Sequence, residues 1–135
     1  RPISGRWTDN GGSNSVIFIG HCAILIAMLV IALTNSLAGF IIAGVLVGFG
    51  FGFCMPTLQA LAVRFAEGDR RGAAVSTFFI FFDLGFGFGT VLWGYAAAWA
   101  GYRQMYLATL LPLVLGGLIY YWSVATRIRA TGGHM

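Results

Sequence analysis

Residues 73–100 read AAVSTFFIFFDLGFGFGTVLWGYAAAWA, and this stretch decides the fold. It holds one charged side chain, Asp83, in a run longer than the roughly 20 helical residues that cross a bilayer. Lipid offers no hydrogen bonds to an open backbone, so such a run must be a helix or part of a closed barrel. Barrel strands are about 10 residues long and alternate apolar with polar positions, which this run does not do. Working outward, three further apolar stretches have the same character: about 15–33, 37–63 and 105–125. The expected architecture is all-α and integral to the membrane, with four antiparallel transmembrane helices, a loop over 1–14 and a tail after the last span. Thr34-Asn35-Ser36 and Gly101–Gln104 are short turns between neighbours, and Arg64–Gly72 is a charged loop.

Composition excludes a soluble domain. Hydrophobic residues make up 59% of the chain and charged residues 9%, against about 25% charged in ordinary globular domains. In a soluble protein the net charge of +4 would suggest nucleic acid. Here the arginines punctuate apolar runs, so the bilayer is the expected partner and nucleic acid is not. With four spans both termini share one side. That side carries Arg1, Arg6, Arg64, Arg70, Arg71, Arg127 and Arg129, and the other carries Arg103 alone. The positive-inside rule therefore puts both termini and the Arg64–Gly72 loop in the cytoplasm of a multi-pass cell-membrane protein. Interfacial aromatics agree: Trp99, Tyr102 and Tyr106 fall at the outer surface, and Tyr120, Tyr121 and Trp122 at the inner one. Cys22 and Cys54 lie within apolar runs and read as free thiols acting as small apolar side chains. The chain opens on Arg1-Pro2 without an initiator Met, which reads as a start inside a longer protein.

Two spans carry patterned faces. In the second, Gly44, Gly48 and Gly52 recur every four residues, followed by Pro56 and Gln59. Small residues on one helical face let another helix approach closely, and close packing drives association in lipid. Pro56 is expected to bend or loosen the helix. Gln59 is either a polar contact within the bundle or a solvated residue near the inner interface. In the third span Ser76, Asp83, Gly87, Thr90 and Gly94 form a small or polar face. Phe81, Leu84, Phe88, Leu92, Tyr95 and Trp99 form a bulky face suited to lipid or helix packing. Asp83 is the one acidic residue within any span. A carboxylate against lipid costs several kcal/mol on insertion scales (about 2.5–3.5), so Asp83 should face a partner helix or a watery cavity. A low-dielectric position suits a carboxyl that takes up a proton, making Asp83, with Thr90 and Gln59, the candidate coupling or substrate site. The bland alternative is an Asp hydrogen-bonded to a neighbouring helix. His21 in the first span is either a hydrogen-bonded packing residue or part of a proton relay whose partner the sequence does not reveal. The Cys and His residues have no zinc spacing, so no metal or cofactor is expected. Gly85, Gly87 and Gly89 do not lie between a strand and a helix, as a phosphate loop requires. No nucleophile or carboxylate pair supports an enzyme.

The loops carry a resemblance. Gly5 and Asp9, within Arg1–Asp9, resemble the cytoplasmic Gly-x-x-x-Asp motif of the major facilitator superfamily. The usual Arg-x-Gly-Arg-Arg continuation is replaced by Asn10-Gly11-Gly12-Ser13-Asn14. Arg70-Arg71-Gly72-Ala73-Ala74 resembles the charged entry to the fifth or eleventh helix of that family. Gly85–Gly94, followed by Gly101-Tyr102-Arg103-Gln104-Met105-Tyr106, is similar to the glycine-rich helix and its exit in bacterial drug-exporter-like members. The resemblance implies the last four helices of a twelve-helix secondary transporter, proton-coupled, moving a small molecule by alternating access. It implies that the remaining helices of a parent transporter are partners, that Asp9 meets a helix N-terminus in the other half, and that the chain alone is inactive. Two other readings stand beside it. A small four-helix multidrug-type pump acting as a dimer shares the span count, but that class depends on a Glu in its first helix, which this chain lacks. A non-transporting membrane subunit would use the glycine faces for association.

Overall fold

In the computed structural model of the chain the described residues are 2–66 and 68–126, with side chains for 13–66, 69–123 and 126. Four helices follow one another: α1 (Pro2–Leu33), α2 (Leu37–Arg64), α3 (Arg71–Ala100) and α4 (Tyr102–Tyr120). A 3₁₀ turn at Gly68–Arg70 leads into α3, and a π-helical turn at Tyr121–Ala125 extends α4. There is no strand among the described residues. The segments apolar and long enough to cross a membrane are Ser13–Leu33, Leu37–Arg64, Arg71–Ala100 and Tyr102–Ser123. At 1.5 Å per residue α3 is roughly 45 Å long, more than the roughly 30 Å hydrocarbon core, so it must tilt or project.

The ends differ from the sequence expectation in two places. The segment read as a loop over 1–14 is helical from Pro2 onward. Proline fits a first helical turn, where its missing N–H is not needed, and a formed helix propagates at little cost. Gly5 and Asp9 lie on this extension, outside the residues whose side chains are described. The turn expected at Gly101–Gln104 is the single residue Gly101, at φ 86° and ψ 161°. That region is essentially open to glycine alone, which explains the residue there. Gly101 N–H closes α3 by donating to Ala97 O at 2.9 Å, and Met105 N–H donates back to Gly101 O at 3.1 Å. Helix α2 runs through Pro56 as one continuous element.

The α1–α2 turn is built by side chains. Ser36 is the N-cap of α2 and accepts from Gly39 N at 3.2 Å. Thr34 Oγ1 accepts from Ser36 N at 3.3 Å. A Cβ on Gly39 would collide with Thr34, so this close turn requires glycine there.

The helices close into a ring in which α1 packs on α2 and α4, and α3 packs on α2 and α4. The tightest seam is α1 against α2. Ala27 and Ala43 are fully excluded from solvent, and Ile17, Cys54 and Leu61 form a small cluster with Leu58 and Tyr120 against it. Gly20 and Gly50 bring the two backbones together: a Cβ on Gly50 would lie 2.5 Å from Gly20 O, and one on Gly20 3.0 Å from Gly50 O. Helices α3 and α4 have no buried residue at all. Trp99 is 93% exposed and Phe88 75%, surfaces that only lipid or further helices can accommodate in this apolar chain.

Candidate functional site

Two features stand out: a central groove and an open polar face on α3. The groove runs between the four helices and has a volume of about 1420 Å³. Its walls are almost wholly apolar, with Phe51 from α2 and Phe78, Phe81 and Phe82 from α3. Phe51 and Phe82 meet at 6.0 Å between ring centroids. Phe78, Phe82 and Phe86 stack along α3 at 6.5 and 6.3 Å, the i, i+4 spacing of one helical face. Polar groups gather at one end. Tyr120 O–H donates to Asn14 Oδ1 at 2.8 Å, linking α4 to α1. Two turns along α1 from Asn14, His21 presses on Gly117, where a Cβ would stand 2.7 Å from Nε2. His21 Nε2 is buried and has no hydrogen-bond partner among the described residues. It is therefore a packing residue at this atom, without the hydrogen bond expected of it. Cys54 also lines the groove, and its thiol donates to Ile17 O at 3.6 Å. Both cysteines are free.

Helix α3 has three faces where the sequence suggested two. In the phenylalanine ladder Phe78 and Phe82 face the groove, while Phe86 is 65% exposed. The bulky face with Phe81, Phe88, Leu92, Tyr95 and Trp99 flanks it on one side and is exposed. The small or polar face flanks it on the other, roughly 100° around the helix from Phe82 at 3.6 residues per turn. Ser76, Asp83, Gly87, Thr90 and Gly94 are all exposed. No hydrogen bond or ion pair engages the Asp83 carboxylate among the described residues. Thr90 O–H is satisfied within its own helix by Gly87 O at 2.8 Å. A Cβ at Gly87 or Gly94 would meet nothing within 4 Å.

The glycine stripe of α2 behaves in the same way. Gly44, Gly48 and Gly52 are exposed, and a Cβ on any of them would meet nothing within 4 Å. The stripe lies on the far side of α2 from Ala43, Gly50, Cys54, Thr57 and Leu61, which face α1. Close packing by glycine occurs in this chain, but at Gly20, Gly50 and Gly117. Gln59 is half-buried, on the stripe side. Arg70 and Arg71 are exposed at the start of α3. The structure thus places Asp83 and Thr90 on one flank, where Thr90 and Gly94 line a smaller cavity with Tyr102 and Met105 of α4, and gathers the α2 glycines on another, where a Cβ would meet nothing within 4 Å. Sequence reading missed the Asn14–Tyr120 bond because its partners are 106 residues apart. It missed Gly50 because counting every fourth residue from Gly44 steps past it.

Among the described residues no group of three or more His, Cys, Asp or Glu could hold a metal ion. The sequence pattern of the Major Facilitator Superfamily matches residues 1–133. An uncharacterized MFS-type transporter of Burkholderia mallei (strain SAVP1) is 36% identical over 101 residues, covering 75% of this chain and 24% of the relative. A Burkholderia pseudomallei (strain K96243) protein of the same description gives the same figures. The uncharacterized MFS-type transporter YhhS of Escherichia coli (strain K12) is 32% identical over 117 residues, covering 87% of this chain and 28% of the relative. The chain thus spans about a quarter of the length of the curated relatives it matches. No solved structure matches it.

Proposed function

The chain belongs to the Major Facilitator Superfamily, and from that premise we propose that it is the last four helices of a proton-coupled secondary transporter of small molecules. It is a multi-pass membrane protein with four helices able to span the bilayer. In this reading the remaining helices of a longer parent complete the path, and the 135 residues alone do not transport. The function is that of a carrier, not an enzyme. Both termini are cytoplasmic, on the strength of the arginine asymmetry.

One observation carries the reading: the open flank of α3 that bears Asp83. An acidic side chain on a membrane helix must be given a partner or water, and among the described residues none pairs with the exposed Asp83. Flanking Ser76, Gly87, Thr90 and Gly94 are small enough to leave room for a ligand or a second helix at that face. A carboxyl so placed can carry a proton in one orientation of the transporter and release it in the other. Gly44, Gly48 and Gly52, with Gln59, form the matching face of α2 for the parent's other helices. The test is Asp83→Asn in the full-length parent, reconstituted into vesicles with an imposed proton gradient. Loss of gradient-driven transport with normal insertion supports the reading, and unchanged gradient-driven transport removes Asp83 from the coupling path.

A further inference from the structure

We infer that the smaller cavity, a cleft between α3 and α4, holds one phospholipid, with an acyl chain lying along α3 and the phosphate at Arg103. The inference is independent of proton coupling and needs only that both helices cross the bilayer. The cleft shares no lining residue with the central groove. Its α3 wall steps through Gly85, Gly89, Trp93 and Ala97, about one residue per helical turn, so it follows the helix axis. Tyr102 and Met105 of α4 bound it at the end next to the Gly101 turn.

Length, width, chemistry and charge select this occupant. Residues 85–98 cover about 20 Å at 1.5 Å per residue, enough to run the depth of one leaflet, about 15 Å of the hydrocarbon core. The cleft has a volume of about 630 Å³. Spread over that length it averages a cross-section of about 30 Å², roughly 6 Å wide, whereas a helix with its side chains is about 10–12 Å across and does not fit. A single hydrocarbon chain does, since its carbons sit at about 4 Å from their neighbours. The walls carry no charged residue. Small-molecule sites place a few polar groups around the ligand, but the Thr90 hydroxyl is already donated to Gly87 O at 2.8 Å. Trp93 and Tyr102, nearer the turn, are the amphipathic rings that suit the boundary between acyl chains and headgroups. Arg103 follows Tyr102 at the mouth, is exposed, and has no ion pair among the described residues. Its guanidinium can donate to two phosphate oxygens at once, which complements a lipid headgroup anchored by a chain in the cleft.

The full-length protein, stripped of lipid, is titrated with dioleoyl phosphatidylglycerol, and bound lipid is counted by native mass spectrometry. One tightly held lipid is expected. Arg103→Gln should weaken it about fivefold, the worth of one basic residue at a lipid surface, and Arg103→Lys should weaken it less. Gly89→Leu should abolish it: a Cβ at Gly89 meets nothing within 4 Å, so the added side chain enters the cleft without a clash in this chain. A second measurement needs no cleft-filling variant. Phosphatidylglycerol with brominated chains should quench Trp93 fluorescence, read as the difference between the natural sequence and Trp93→Phe. Unquenched Trp93 means that the cleft is filled by protein or substrate and overturns the proposal. Unchanged lipid binding by Gly89→Leu or by Arg103→Gln overturns it as well. Displacement of the lipid by inorganic phosphate alone would make Arg103 a site for free anions, and also overturns it.

Discussion

Gly50→Ala is the substitution whose effect follows most directly from the geometry. The added Cβ would lie 2.5 Å from Gly20 O and 2.5 Å from Ile24 Cγ1. Ordinary contact begins near 3.4 Å, so the seam must open by about 1 Å. Ile24 can change rotamer, but a backbone carbonyl on a helix moves only with the whole helix. Overpacking of this kind costs about 1–3 kcal/mol, and a backbone obstacle places it in the upper half of that range. The loss also reaches Cys54, whose thiol is bonded to Ile17 O across the same seam. Gly48→Ala is the control, because nothing lies within 4 Å of its Cβ and its effect should stay within about 0.5 kcal/mol. Thermal unfolding in detergent, followed by reaction of the released thiols with a fluorogenic maleimide, reads both. Gly50→Ala should lower the midpoint clearly and expose Cys54 early, and Gly48→Ala should leave the trace unchanged. Equal shifts, or a larger shift for Gly48→Ala, would refute the placement of the α1–α2 crossing at Gly20 and Gly50.

Other expectations follow from the same structure. Tyr120→Phe removes the bond to Asn14 Oδ1 and should cost about 0.5–1.5 kcal/mol, read in the same thermal assay. In the full-length parent the ranking of glycines changes: Gly48→Leu should disrupt assembly, measured as monodisperse protein by size exclusion, whereas Phe51→Leu should be mild. A cysteine replacing Asn35 or Gln104 should be labelled from outside intact cells, and one at position 10 or 68 should not, in a background without the two native thiols. The reverse labelling pattern would turn the whole orientation over.

Much of the fold was legible because lipid leaves few choices. Long apolar runs such as 73–100 must be helices, and their ends were marked by Thr34-Asn35-Ser36, the Arg64–Gly72 loop and Gly101. Helix boundaries beyond the apolar runs were not legible: hydropathy stops near Ser13, while backbone hydrogen bonding continues to Pro2. The small face of α3 was visible in the spacing of Ser76, Asp83, Gly87, Thr90 and Gly94. What spacing could not show is which of several small faces this chain itself uses. Glycine is common on both sides of α2, and only the ring of α1, α2, α3 and α4 makes Gly50 a contact and leaves Gly48 open. The groove was likewise hidden, because Asn14, His21, Phe51, Phe82 and Tyr120 share no local pattern and meet only once four helices have packed.

The most direct test of the central claim separates coupling from translocation. Vesicles containing the parent transporter are loaded with labelled substrate, and two processes are measured: accumulation against a gradient driven by protons, and exchange of substrate with none. Asp83→Asn keeps the size of the side chain and its capacity to hydrogen-bond but cannot bind and release a proton. The account predicts that this variant retains exchange and loses proton-driven accumulation. Full proton-driven accumulation by Asp83→Asn would contradict it and would leave the open flank of α3 as a packing surface only.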